Sequence, residues 1–419
     1  MAEVELPRSI DTLVIGAGHA GLMMSWYLQA AGRDHVLVDR RETLGGGWQD
    51  RWDGFTLVSP NWLSAFPGFA YDGDDPDGFM PRDAIAARVR SYADVIGAPV
   101  VRATTVTRAG LSTDASAGRR FRVETTRGPA DADSVIMATG AFHRPHIPAA
   151  ATGFAPRIAQ VHAHDYRRPE ALAPGGVLVI GSGQTGCQLA EELHGAGREV
   201  WLAVGRCGRH PRRYRGHDLF WWARQLVLHG EATGTPLPRV DQLPSPRARF
   251  ACNGHVSGHD GGHDTNLRRM GLDGIHLVGR FESADGERAT FAPNLTETLE
   301  FADTFFDQNL GRLCEAYAAA AGLELGADDR EWPSYDPPEV PELDLATAGI
   351  GTVLWTTGYR PDYGWLDLPI LDEFGVPRHV RGETEVPGLS MIGALFQHDN
   401  GSANLIGVER DAAYLAARW

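Results

Sequence analysis

The chain contains no lysine: all 39 of its basic residues are arginine. A lysine Schiff base, a pyridoxal phosphate anchor and the lysine of a phosphate-binding P-loop are excluded together. Coding bias toward arginine is the plain source of that pattern. Cysteine is scarce as well, with Cys187, Cys207, Cys252 and Cys314 widely spaced and no Cys-x-x-Cys among them. Such spacing suggests neither a disulfide framework nor a zinc knuckle, so reduced thiols are expected. No apolar run approaches the roughly 18 residues of a membrane span. The acidic start, Met1 to Pro7, lacks the apolar core of a signal peptide. A cytoplasmic protein with no membrane partner is expected. The formal charge of −15 argues against nucleic acid, whose phosphates it would repel.

Glycine is plentiful, 50 in 419 residues, so a single Gly-x-Gly-x-x-Gly would carry little weight. The chain has two. Thr12-Leu-Val-Ile runs into Gly16-x-Gly18-x-x-Gly21, and Val177-Leu-Val-Ile runs into Gly181-x-Gly183-x-x-Gly186. Each follows a short apolar strand and opens a helical pattern, which is the context that makes the motif a dinucleotide fingerprint. The first glycine permits the tight turn, the second lets backbone approach a pyrophosphate, and the third lets helix pack on strand. The helix start then presents its partial positive charge to the phosphates.

The copies differ beyond the second strand. Asp39 ends the strand predicted at 35–38, about where an acid would bind ribose hydroxyls. After the strand predicted at 200–204 comes Gly205-Arg206, with Arg212 and Arg213 close behind. An arginine in place of the acid suits a 2′-phosphate, which favours NADPH over NADH in the second site. Gln184 and Thr185 fill the variable places of that fingerprint.

Elsewhere the spacing predicts an amphipathic helix carrying Ile85, Val89, Tyr92 and Ile96, a strand at 134–138, and a proline-rich crossover at 141–174. A helix at 294–321 is expected to break at Gly311, and another helix closes the chain at 403–418. His255, His259 and His263 recur every four residues, but Gly254, Gly258, Gly261 and Gly262 oppose a helix there. They are expected to be loop residues, with no metal bound. Phe220-Trp221-Trp222 is expected to serve packing. The 419 residues suit two domains.

The ordered set Gly16-x-Gly18-x-x-Gly21, Asp39, Gly45-Gly46-x-Trp48, Ala138-Thr139-Gly140, the internal second fingerprint and Thr356-Thr357-Gly358-Tyr359 resembles the single-component flavoprotein monooxygenases. That family includes flavin-containing, Baeyer–Villiger and N-hydroxylating enzymes. The resemblance implies an α/β chain of two Rossmann-like domains, the NADPH domain (166–345) inserted into a discontinuous FAD domain (1–165 and 346–419). An irregular insertion is expected around 208–275. FAD is implied at the first site and NADPH at the second, with O2 and a small molecule as co-substrates and oxygenation through a flavin C4a-peroxide. Thr139, Gly140, Thr357 and Gly358 are implied to link the domains, Gln397 and His398 to lie beside the flavin, and Asn61 to act at the reacting ring. His162-x-x-x-Tyr166-Arg167 matches half of the flavin-containing monooxygenase motif, which favours oxygenation at nitrogen or sulfur. Baeyer–Villiger oxygenation, a flavoprotein reductase and a redox sensor stay open as alternatives. A homodimer is the default assembly.

Overall fold

A computed structural model describes residues 5–113 and 118–418. Residues 1–4 of the acidic start, 114–117 and 419 lie outside the described residues. Each fingerprint sits on its own parallel sheet. In the first, Ser9–Ile15 lies between His35–Val38 and Gly128–Met137, with Ile15 level with Val38 on one side and Met137 on the other. Val100–Val101 extends this sheet on one flank and Leu389–Met391 on the other. The central strand is buried throughout its last four residues, Thr12 to Ile15, because helices cover one face and Phe121, Val123, Tyr363, Leu366 and Ile370 cover the other. Helix His19–Ala30 buries Leu22, Met23, Met24 and Leu28 against the closing helix Val408–Ala416, which contributes Val408, Ala412 and Leu415. The amphipathic helix forms over Arg82–Val95 with Ile85, Val89 and Tyr92 buried.

The second sheet runs His276–Val278, Val200–Ala203, Gly176–Ile180, Ile350–Trp355, Ala159–His162, all parallel. Two of its members lie on the first-domain side of the expected boundaries. Ala159–His162 precedes 165 and Ile350–Trp355 follows 346, yet both pair within the second sheet. A strand's pattern fixes its type, whereas its partners fix its domain. Within the crossover, Arg144–Pro145 pairs with Tyr359–Arg360 in a two-stranded ribbon.

Local departures have local causes. The strand expected at 134–138 extends to Gly128–Met137 because Phe121–Thr125 pairs with its polar first half. The helix expected to break at Gly311 instead widens through a π-turn at Asp307–Gly311 and continues as Arg312–Ala321. Helix Leu219–Thr233 carries the Phe220-Trp221-Trp222 cluster and starts where Asp218 accepts the Phe220 N–H at 2.8 Å.

Candidate active site

The two fingerprints share one backbone geometry. Gly16 and Gly181 sit at φ +109° and +108°, and a Cβ on either would lie 2.4 and 2.9 Å from the carbonyl oxygens of Ala138 and Thr356. A Cβ on Gly21 or Gly186 would lie 2.0 or 1.9 Å from the Gly16 or Gly181 carbonyl oxygen. These four glycines answer to the protein's own backbone. The middle pair does not. Gly18 and Gly183 have φ of −74° and −67°, which any residue adopts. Their missing Cβ atoms would meet only Gly46 Cα and Cys252 Cβ, both at 3.7 Å. Nothing in the folded chain demands glycine there, so the vacant space fits a pyrophosphate at each helix start.

The repeat extends to the exits of both sheets. Ala138-Thr139-Gly140 packs on Gly16 as Thr356-Thr357-Gly358 packs on Gly181, and Gly140 and Gly358 turn at φ +76° and +78°. Thr356 Oγ1 donates to the Ile180 and Gly181 carbonyls at 2.9 and 2.6 Å. Thr357 Oγ1 donates to the His146 carbonyl, His146 N–H donates to the Gly358 carbonyl at 2.9 Å, and His162 Nε2 reaches the same oxygen at 3.1 Å. Burial holds His143, His146 and His162 below the usual imidazole pKa. As a neutral ring, His143 accepts the Asp362 N–H at 2.8 Å.

In the first unit Asp39 accepts the N–H groups of Ala17 and Arg41 at 2.8 and 2.9 Å, tying the glycine loop to the second strand. In the second unit Ser182 does this instead, its hydroxyl bonding both the Gly205 N–H and carbonyl at 3.0 and 3.1 Å. The place of the acid is thereby left to Gly205 and Arg206. Arg206 is exposed, its guanidinium 4.0 Å from the Phe301 ring centroid, and among the described residues no carboxylate pairs with it. Gln184 is a wall of the site, its amide pairing with the Val256 N–H and carbonyl at 3.0 and 2.7 Å. Thr185 is half-buried one residue further on, and Arg213 is exposed on a short hairpin.

Arg212 corrects an expectation. Its side chain is 4% exposed and grips Asp218 through two bonds of 2.8 and 2.6 Å, while Nη1 donates to the Val58 carbonyl at 2.6 Å. It joins the second unit to the first and is not placed to meet a phosphate. Arg212→Ala is expected to lower stability by about 3 kcal/mol, the scale of a broken buried pair. Chemical denaturation checks the loss, and the ratio of NADPH to NADH Michaelis constants should stay put.

The loop after the first β-α-β unit closes on the first cradle. Gly46, at φ +63°, brings its Cα toward Gly18, and Trp48 lies 4.9 Å from the His19 ring. His19 Nε2 is buried with no partner, and burial pushes its pKa down to about 4. Asn61 opens a short helical turn, donates to the Asp75 carbonyl at 2.9 Å and leaves Oδ1 buried without a partner. Two orphaned polar atoms on this side fit a ligand that the chain itself does not supply. Gln397 is fully buried and bonds the Ala394 N–H and Arg381 carbonyl at 3.4 and 3.3 Å. It shapes the turn that carries His398. His398 is half-buried, and its carbonyl accepts the Val240 N–H at 3.0 Å.

Several working residues were not found from the sequence. Glu192, on helix Gln184–Gly195, accepts the Trp52 indole N–H at 2.6 Å and the Tyr166 hydroxyl at 2.7 Å. Burial raises its pKa although both hydrogen bonds oppose the rise. Helix Leu219–Thr233 roofs the Asn61 turn, with the Arg224 guanidinium 5.6 Å from the Trp62 ring. Trp222 is fully buried, in keeping with packing. The expectation of reduced thiols fails for two of the four cysteines, since Cys207 and Cys252 form a disulfide. An isolated backbone bridge between Arg209 and His255 brings their two loop segments together. His255, His259 and His263 do not cluster: His255 is buried, 3.8 Å from Cys187 Sγ, while His263 faces Glu191.

Residues 13–215 match the profile of the pyridine nucleotide-disulphide oxidoreductases. The chain is 30% identical to an uncharacterized CzcO-like oxidoreductase of Geobacillus kaustophilus, over 97% of both chains. It is also 30% identical to a Baeyer–Villiger monooxygenase of Streptomyces coelicolor, over 46% of this chain and 37% of that one. A flavin-containing monooxygenase from Stenotrophomonas maltophilia shares the fold, with a TM-score of 0.67 at 20% identity over 98% of each chain. Two dinucleotide cradles in this order, on a chain aligned end to end with an oxidoreductase, place it in the FAD- and nicotinamide-dependent flavoprotein monooxygenase family.

Proposed function

We propose that the chain uses NADPH and O2 to oxygenate a soft nitrogen or sulfur atom of a small molecule. The carrying observation is the pair of middle glycines, Gly18 and Gly183, each facing space that the protein does not fill. Two nucleotides held on sheets that meet at one ribbon serve electron transfer between them. Bound FAD would supply the redox and oxygen chemistry. The chain's share is to bind, orient and exclude water. Gly18 and Asp39 would receive the FAD pyrophosphate and ribose, and Arg206, with Arg213 near it, the 2′-phosphate of NADPH. Asn61 Oδ1 would accept a hydrogen bond at the flavin ring. The inserted segment reaches from Val58 to His398 and would wall the ring from solvent. Tyr166-Arg167, in a motif otherwise half lost, favours nitrogen or sulfur over carbonyl substrates. Cytoplasmic residence and a homodimer belong to the same proposal.

Isotope-labelled O2 tests the reading with three probes: a tertiary amine, a thioether and a ketone. Label in the N-oxide or sulfoxide is the expected result. An ester or lactone alone would make it a Baeyer–Villiger enzyme. Label in no product, with NADPH still consumed, would make it a reductase, and bound FAD without NADPH oxidation would leave a redox sensor.

A further inference from the structure

Cys252 stands over the middle glycine of the second fingerprint, its Cβ 3.7 Å from where a Gly183 Cβ would project. Its disulfide partner Cys207 directly follows Arg206, and the Cys252 sulfur lies 3.8 Å from the Arg206 carbonyl oxygen. The bond therefore ties together the two sides of the nucleotide cradle, the arginine turn and the segment that reaches Val256. Beyond Cys252 that segment is held by backbone: His255 N–H donates to the Gly208 carbonyl, and His210 N–H to the His255 carbonyl, both at 3.0 Å. Before Cys252 the two short helical turns Val240–Gln242 and Pro246–Phe250 contain no fully buried residue. The disulfide is thus the covalent fastening between the arginine turn and a stretch of chain otherwise held on the first unit, by the Arg249–Asp372 pair and by Phe250, whose ring lies 5.4 Å from Phe374. The two sulfurs also differ in access: Cys252 is an exposed residue, whereas Cys207 is 3% exposed.

We propose that Cys207–Cys252 is a thiol-exchange site for a low-molecular-weight thiol, and that its redox state sets the affinity of the second cradle for the nicotinamide coenzyme. The inference rests on that coenzyme occupying the second cradle. The small thiolate attacks Cys252 Sγ, forming a mixed disulfide, and the Cys207–Cys252 bond breaks with its electron pair leaving on Cys207, which takes up a proton. A second thiolate attacks the small-molecule sulfur of the mixed disulfide. Cys252 leaves, is protonated, and the symmetrical small-molecule disulfide departs. Two thiols lose two electrons and the protein disulfide gains them. The oxidised form fixes the arginine turn against Cys252 over Gly183 for binding, and the reduced form lets those two sides part. Cys187 and Cys314 take no part, being buried, with burial pushing the Cys314 thiol up to about 12.

The test uses FAD-loaded full-length protein, NADP+ as the binding probe, and glutathione with its disulfide as the thiol pair. Reduction is expected to raise the NADP+ Kd about fivefold or more, the lower range of coupling between linked sites. Glutathione disulfide should restore it, with bound flavin unchanged. Peptide mass spectrometry should find the glutathione adduct on Cys252 and not on Cys207. Cys207→Ser/Cys252→Ser should stay folded and bind weakly at every redox poise. Equal Kd values for the oxidised and reduced protein, or free thiols at both positions in air-oxidised protein, overturn the exchange site while the coenzyme reading stands. Binding to neither form overturns both.

Discussion

Gly18→Val is expected to give folded protein without flavin, and Gly183→Val to give yellow protein that no longer takes up the nicotinamide coenzyme. Both positions have ordinary extended-to-helical backbone and no protein atom within 3.4 Å of a new Cβ. The valine is accommodated by the apoprotein but projects into the space assigned to a pyrophosphate. Losing even two charge-assisted hydrogen bonds of roughly 1.5–3 kcal/mol each weakens binding by about two to four decades. Gly16→Val and Gly21→Val are the necessary contrast. There the side chain meets a carbonyl oxygen at 2.4 or 2.0 Å, and Gly16 carries a positive φ besides. Those variants should fail to fold, whatever ligand is present. Flavin absorbance per mole of protein and the melting temperature separate the two classes. Full flavin content in folded Gly18→Val would remove FAD from the first cradle.

What could be read from the sequence was whatever the local chain determines. The fingerprint glycines are legible because each motif is one local strand-turn-helix. Gly21 and Gly186 clash most closely with the carbonyls of Gly16 and Gly181, five residues back, although Gly16 and Gly181 themselves answer to the distant carbonyls of Ala138 and Thr356. The helix at Arg82–Val95 is legible because its buried face repeats every turn. Domain membership was not. Ala159–His162 and Ile350–Trp355 are short apolar strands like their neighbours, and only hydrogen bonding to Gly176–Ile180 or to each other assigns them. Arg212 stood among arginines and read like them. Its burial is set by Asp218 and by the carbonyl of Val58, 154 residues away. The Cys207–Cys252 pair is separated by 45 residues and closes only after the inserted segment folds back. Glu192 carries no motif, and its partners lie 140 and 26 residues off.

Arg206→Ala should raise the Michaelis constant for NADPH about 10- to 150-fold while leaving that for NADH nearly unchanged, the equivalent of roughly 1.5–3 kcal/mol for a charge-assisted bond. Of the arginines near the second cradle, only an unpaired one can take a phosphate. Arg209 is paired with Asp303 at 3.0 Å and Arg212 with Asp218, so neither has charge to spare. Arg206 has no carboxylate partner among the described residues, stands where an acid would otherwise meet the ribose, and lies over Phe301. That ring contact, of the order of 0.5–1 kcal/mol at an exposed site, limits the guanidinium's freedom before a phosphate arrives. Phe301→Ala should therefore show the same selectivity in weaker form. Arg206→Lys should recover only part of the loss, since an ammonium keeps the charge but not the planar fork that matches phosphate. Added salt should weaken NADPH binding to the wild type more than to Arg206→Ala. Equal rises for the two coenzymes in Arg206→Ala would move the 2′-phosphate elsewhere, with Arg213 the next guanidinium to test.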